Sequence, residues 1–332
     1  MLEFLRAIFT TWEFRPLVFG VPLVLGGLYL RGWLHLYRRE SVRNRSRRRL
    51  PVRGGPTPAW RELPRRSRDP VRPRLAEPWR AIAYGGGLSL LVLALASGLD
   101  AYSTLLFFVH MIQHELLLMV VPPLLWLGNP YPIILWGLPQ RLRPVVSRLM
   151  ARPSPFRHAL RQLSNPGLVI FIHVAILWGW HDSTLYNLAL ERRWAHDLEH
   201  LSFFLSGMLF WWNAVGAAPR LRRSFSYAWR MLYVVAVIPF IVGLGATLSF
   251  ATVPFYAHYT TVPRLWGISV MDDQMYGGVI MWESIMNHII AALILLAGHF
   301  RAEERKAPLP HSQWEQADAL LAPGLEDGSV PF

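Results

Sequence analysis

Apolar residues in this chain fall in long runs, not in the strict alternation of half-buried strands or the narrow stripe of soluble amphipathic helices. Seven of these runs read as membrane spans: Leu17–Tyr37, Trp79–Gly98, Thr104–Leu127, Gly167–Trp180, Leu201–Val215, Met231–Phe250 and Tyr276–His299. A helix needs about 20 mainly apolar residues to cross a hydrocarbon core, so the fourth and fifth runs must extend into their flanks. Pro130–Leu138 is apolar but too short to span and reads as an interfacial or re-entrant piece. The pattern predicts an all-α polytopic membrane protein with seven transmembrane helices.

Composition agrees: 53% hydrophobic residues and 15 Trp coexist with a formal charge of +13, a combination that soluble domains rarely show. The basic residues are segregated, and that orients the helices, because Arg and Lys stay in cytoplasmic loops. Residues 38–74 hold fourteen Arg against Glu40, Glu62 and Asp69. The next inner loop carries Arg141, Arg143, Arg148, Arg152, Arg157 and Arg161, and the third Arg220, Arg222 and Arg223. The intervening loops are poor in basic residues, which places the N-terminus outside and the C-terminus in the cytoplasm. The resulting organisation is an N-terminal helix over 1–37, an Arg-rich cytoplasmic linker over 38–78, a six-helix membrane domain over 79–300 and a cytoplasmic tail over 301–332. The first span has no small-residue cleavage site and is followed by arginines, so it reads as a retained helix separate from the later body. No aromatic platform is interleaved with the charge, so the Arg excess points to topology and lipid headgroups, not to nucleic acid.

Two missing residue types narrow the chemistry. Cysteine is absent, which excludes disulfides, thiolate metal sites and iron–sulfur ligation. The single lysine, Lys306, follows the last span, so neither a retinal Schiff base nor Lys-based covalent catalysis operates within the membrane.

Histidine is concentrated where those are missing: His110, His114, His173, His181, His196, His200 and His258 lie in or beside apolar segments on the predicted outer side. His110 and His114, at i and i+4, share a helix face, as do His196 and His200. Each pair suits one metal ion, or else a polar pair bonded to neighbouring helices. Glu115, in the same run as the first pair, adds a carboxylate at membrane depth, where ionisable groups face a bundle interior or aqueous cavity. Asp197 and Glu199, beside the second pair, read as favourable charges near a helix N-terminus. His173, two turns below His181, suggests one His-lined path into the bundle. Glu283, Asn287 and His288 add polar groups to the seventh span.

His110-Met111-Ile112-Gln113-His114 followed by Pro122-Pro123, then Trp180-His181, His196-Asp197-Leu198-Glu199-His200, and Asp273-Gln274 with Gly277-Gly278 together resemble the CtaG-type multi-spanning cytochrome c oxidase assembly factors. The resemblance covers roughly 79–300. It implies a non-enzymatic protein of the bacterial plasma membrane that handles or delivers copper to a haem–copper oxidase at the outer face, with oxidase subunits or a copper chaperone as partners. The expected metal ligands are His110, His114, His173, His181, His196, His200 and Asp273. Copper would arrive at His181, His196 and His200, near Asp273, and pass to His110, His114 and His173. Two other readings use the same residues: a bis-His haem b electron carrier and a copper permease.

Overall fold

The computed structural model describes residues 10–49, 76–222 and 226–304; the predicted linker beyond Arg49 and the tail beyond Glu304 fall outside them. The described chain is helical throughout, without strands. Its elements are α1 (Pro16–Arg49), α2 (Pro78–Ala96), α3 (Gly98–Ser103), α4 (Phe107–Glu115), a π-helical turn (Leu116–Val120), α5 (Val121–Leu127), α6 (Pro130–Gly137), α7 (Arg143–Leu149) and α8 (Pro155–Leu163). There follow α9 (Pro166–Trp180), α10 (Ser183–Glu191), α11 (Arg193–Val215), α12 (Tyr227–Val235), α13 (Ile238–Ser249), α14 (His258–Thr261) and α15 (Val270–Glu304).

Among the described residues five helical segments are long and apolar enough to cross a membrane: Pro16–Arg39, Pro78–Ala96, Phe107–Leu127, Tyr227–Ser249 and Val270–Arg301. A sixth arises if α8 and α9, bent by 62° at their junction, count as one span. The bend follows from the sequence, since Pro166 starts a new helix and the Asn165 side chain caps it by accepting from Gly167 N–H. The count therefore differs from the seven runs read along the chain. The fifth run does form a long helix, α11, but His196, Glu199, His200 and Asn213 on it dilute its apolar character. Those polar groups face protein and not lipid.

The first span departs from expectation as well. It continues as helix to Arg49 rather than ending near Tyr37, and it docks on the body instead of standing apart. Tyr29 stacks on Tyr84 of α2 at 4.1 Å between ring centroids, and its hydroxyl donates to the Gly128 carbonyl at 2.8 Å. The piece expected to be interfacial forms α6, and α1 packs against it where Gly32 and Gly137 bring the two backbones together.

Around α15 the bundle closes on α4, α12 and α13. A Cβ on Gly245 of α13 would come within 2.9 Å of the Gly278 carbonyl, and one on Gly278 within 2.8 Å of the Gly245 carbonyl, so only hydrogens fit in this seam. Overpacking a buried contact costs about 1–3 kcal/mol. Gly278→Val should therefore lower the thermal midpoint of the detergent-purified protein by several degrees, whereas Gly85→Ala, whose Cβ would meet nothing within 4 Å, should leave it unchanged.

Candidate metal centre

The site is built where α4 crosses α11. Phe107 and Phe108 open α4, and their backbone N–H groups donate to the two carboxylate oxygens of Asp273 on α15, at 3.0 and 2.9 Å. Arg264 donates to the same carboxylate at 2.8 Å. With its start pinned, α4 presents His110 and His114 on one face, ring centroids 4.3 Å apart. Lower down, Pro122 lacks the N–H that would bond the Leu118 carbonyl, and the helix widens into the π turn just before it. The indole of Trp211 on α11 donates to that freed carbonyl at 3.0 Å. Gly207, two turns along α11 from His200, makes the approach possible: a Cβ there would lie 2.9 Å from the Leu118 carbonyl oxygen and 3.1 Å from the Pro122 ring. The seam sets α11 so that His196, Glu199 and His200, at i, i+3 and i+4, face the α4 histidines.

The side chains converge closely. His110, His114, Glu199 and His200 each offer a ligand atom, and all four atoms lie within 4.8 Å of one another. Around a tetrahedral ion with bonds of about 2.0 Å the separations would be about 3.3 Å, so a small contraction closes the site. Glu199 straddles the α4 pair, one carboxylate oxygen 3.6 Å from His110 Nε2 and the other 3.4 Å from His114 Nε2. Glu199 and His110 are fully buried, and neither Glu199 oxygen has a hydrogen-bond donor. Nε2 of His110 and both ring nitrogens of His114 and of His200 are likewise buried without partners. One such unpaired atom from each of the four residues meets the others at one place, and a cation that accepts nitrogen and oxygen donors would satisfy them together.

One ligand is held from behind. The Nδ1 of His110 lies 2.8 Å from the Tyr186 hydroxyl, which lies 3.2 Å from that of Tyr259, which in turn donates to the Ser103 carbonyl at 2.7 Å. Running the donors in that order, His110 Nδ1–H to Tyr186 to Tyr259 to Ser103, leaves a lone pair on Nε2, the nitrogen that faces Glu199. His181, at the C-terminus of α9, is fixed similarly: its Nδ1 donates to the Leu177 carbonyl at 2.6 Å, and its ring lies 5.8 Å from that of His114. His181 thus flanks the four-residue group without being part of it.

A second set overlaps the first. Asp100, His196 and His200 also bring ligand atoms within 4.8 Å of one another. Asp100 accepts from Arg15 at 2.6 Å and from Gln113 at 2.9 Å. Burial pushes its carboxyl pKa up, and the Arg15 charge and the Gln113 hydrogen bond pull the other way.

Of the seven residues read as ligands from the sequence, the structure brings His110, His114, His196 and His200 together, with His181 beside them. His173 and Asp273 are placed elsewhere. His173 stacks on Phe210 at 4.8 Å, and Phe210 lies ten residues beyond His200 on α11, about 15 Å along the axis. Asp273 has both oxygens engaged by the α4 N-terminus and Arg264, which makes it a cap and an ion-pair partner. His258 Nε2 donates to the Thr104 carbonyl, 2.9 Å away. Sequence reasoning missed Glu199 and Asp100. The i, i+3, i+4 spacing of His196, Glu199 and His200 was the available signal for the first; for Asp100 only the folded bend at α3 shows the proximity. Glu115 accepts from Asn287 at 2.7 Å, and Glu283 lies on the outer surface of α15.

A family model for cytochrome c oxidase caa3 assembly factors, Caa3_CtaG, matches residues 58–302, a range that includes every residue of both overlapping sets. The chain belongs to this family. Uncharacterised proteins of Mycobacterium bovis and Mycobacterium tuberculosis resemble this Caa3_CtaG member at 30% identity over 236 residues, 68% of this chain and 35% of theirs. A further uncharacterised protein, from Mycobacterium leprae, is 25% identical over 323 residues, 95% of this chain and 43% of its own. The chain thus spans less than half the length of these curated relatives. No solved structure matches it.

The two roles for Asp273 are separable. Asp273→Ala should leave any metal bound by the wild type, copper included, at the same stoichiometry but lower stability by about 3 kcal/mol, because it strands Arg264 and uncaps α4. Metal analysis alongside a thermal melt in detergent reads both, and copper loss at unchanged stability would return Asp273 to the ligand set.

Proposed function

We propose that this chain is a non-enzymatic metal-handling assembly factor that loads copper at His110, His114, Glu199 and His200 and supplies it to a haem–copper oxidase at the outer face of the bacterial plasma membrane. The observation that carries this reading is the convergence of three imidazoles and one carboxylate, buried and without hydrogen-bond partners at the nitrogens and oxygens that meet. Neutral imidazoles suit either oxidation state of copper, and a chain without cysteine has no softer ligand than Met to offer. Family membership supports the oxidase as recipient. The charge asymmetry of the loops supports seven crossings with the N-terminus outside, counting the bent α8–α9 pair and α11 as spans, and so an outward-facing site.

The geometry favours this over the two other readings. A bis-His haem needs two opposed imidazoles with an open slot for the macrocycle between them, whereas here four donors close around one point. For a permease the path would continue inward past His114. Phe203 packs on His114 at 4.4 Å and Phe210 on His173 at 4.8 Å, an aromatic floor that suits a pocket closed at its inner end.

Metal analysis and an optical spectrum of detergent-purified protein after copper loading test the proposal. Wild type should hold near-stoichiometric copper with no haem Soret band, and His110→Ala/His114→Ala should lose it. Tyr186→Phe should keep the ligands but release the tautomer, weakening affinity about 10- to 100-fold in a chelator competition. A copper-free wild type, or a Soret band, would overturn the reading.

A further inference from the structure

The Asp100, His196 and His200 set shares a ligand with the four-residue site, and it differs from it in exposure and in charge. Asp100 and His196 keep 8% and 7% of their surface accessible and His114 of the inner group keeps 6%, while His110 and Glu199, the deepest of the inner group, keep none. Above them lies the segment before α1. Arg15 bonds Asp100 at 2.6 Å and reaches Asp197 at 3.3 Å, and Glu13 anchors the segment through its carboxylate to Arg193 and its N–H to the Ala96 carbonyl. The Arg193 hydrogen bond holds the Glu13 carboxyl below its ordinary pKa, so this anchor is charged at neutral pH. On the ligand side, His196 Nε2 and both nitrogens of His200 are buried without partners. Each Asp100 oxygen accepts one hydrogen bond from Arg15 or Gln113 and retains a lone pair.

We propose that one metal ion occupies two positions in turn: an outer one formed by Asp100, His196 and His200, and the inner one formed by His110, His114, Glu199 and His200. The proposal rests on the inner site being a metal site. The ion keeps His200 throughout and exchanges Asp100 and His196 for His110, His114 and Glu199, without redox change and without release to solvent. Charge gives the step its direction. Arg15 already neutralises Asp100, so the outer position is weak, whereas Glu199 has no cation beside it and draws the ion inward. Arg15 is then the residue that keeps the outer position transient.

The test uses the full chain in detergent, with Cu(II) followed by EPR at equilibrium and by stopped-flow tryptophan quenching. Wild type should bind one equivalent. His196→Ala and His196→Asn, each checked for a monodisperse profile, should reach the wild-type spectrum but load at least about ten-fold more slowly. His110→Ala/Glu199→Gln should hold Cu(II) more weakly with a different spectrum, and adding Asp100→Asn should abolish that binding. In this background Arg15→Gln should tighten binding by about five-fold or more. Loading of both His196 variants at the wild-type rate would overturn the shared-ion relay while leaving the inner site standing. So would two equivalents in wild type, or residual binding indifferent to Asp100→Asn. A wild type that binds no copper would instead remove the inner site and the relay with it.

Discussion

Glu199 is buried against two imidazoles with no donor for either oxygen, and much of this bundle is organised around making that tolerable. An unpaired carboxylate in low dielectric costs several kcal/mol even after relaxation, more than any single packing contact returns. A proton shared with His110 or His114, whose Nε2 atoms lie 3.6 and 3.4 Å from its oxygens, offsets part of that cost. A divalent or monovalent metal cation satisfies carboxylate and imidazoles together. The proposed function assigns that role to a metal, because donor atoms from four side chains converge where a single proton reaches only two of them.

Holding such a group together requires rigid elements, and they come from backbone devices more than from side-chain ion pairs. Pro122 frees the Leu118 carbonyl, Trp211 takes it up, and Gly207 lets the two helices touch at that point. One to two turns above, α4 and α11 carry the candidate ligands. Asp273 fixes the other end of α4 by accepting from its first two N–H groups. The π turn adds a residue between the ligand-bearing half of α4 and the apolar half beyond, so the register of one can be set without the other.

The sequence alone exposed the helical class, the long apolar runs and the two His pairs, because those depend on periodicities of one helix at a time. What it could not expose was how helices far apart in the chain meet. His173 and His181 sit on one helix two turns apart, so a path through both looked continuous, yet α11 carries Phe203 and Phe210 between their levels. Asp273 looked like a ligand because it is an acid in one of the motifs that carry the family resemblance; besides Arg264, its actual partners, Phe107 N–H and Phe108 N–H, are backbone groups that no residue pattern announces. Glu199 looked like a helix-terminal charge because α11 begins only six residues earlier, a position where dipole and burial make opposite demands. Five to six helices among the described residues, not seven, are long and apolar enough to cross for a related reason: α11 has the length, but its apolarity is diluted by the polar residues of the candidate site.

Arg15 connects the least expected part of the fold to the site. It precedes α1 and lies outside the region matched by the family model, so its position depends on where α1 docks. Tyr29 on Tyr84, the Tyr29 hydroxyl on Gly128, and the close approach of Gly32 and Gly137 hold α1 against α2 and α6. With α1 fixed, the few residues before it have little freedom, and the Glu13 anchors place the Arg15 guanidinium over Asp100. A helix that contributes no residue to the candidate metal centre thereby sets the charge at its outer edge. The family-matched body supplies the candidate donors, and the segment just before the first span supplies the cation beside one of them.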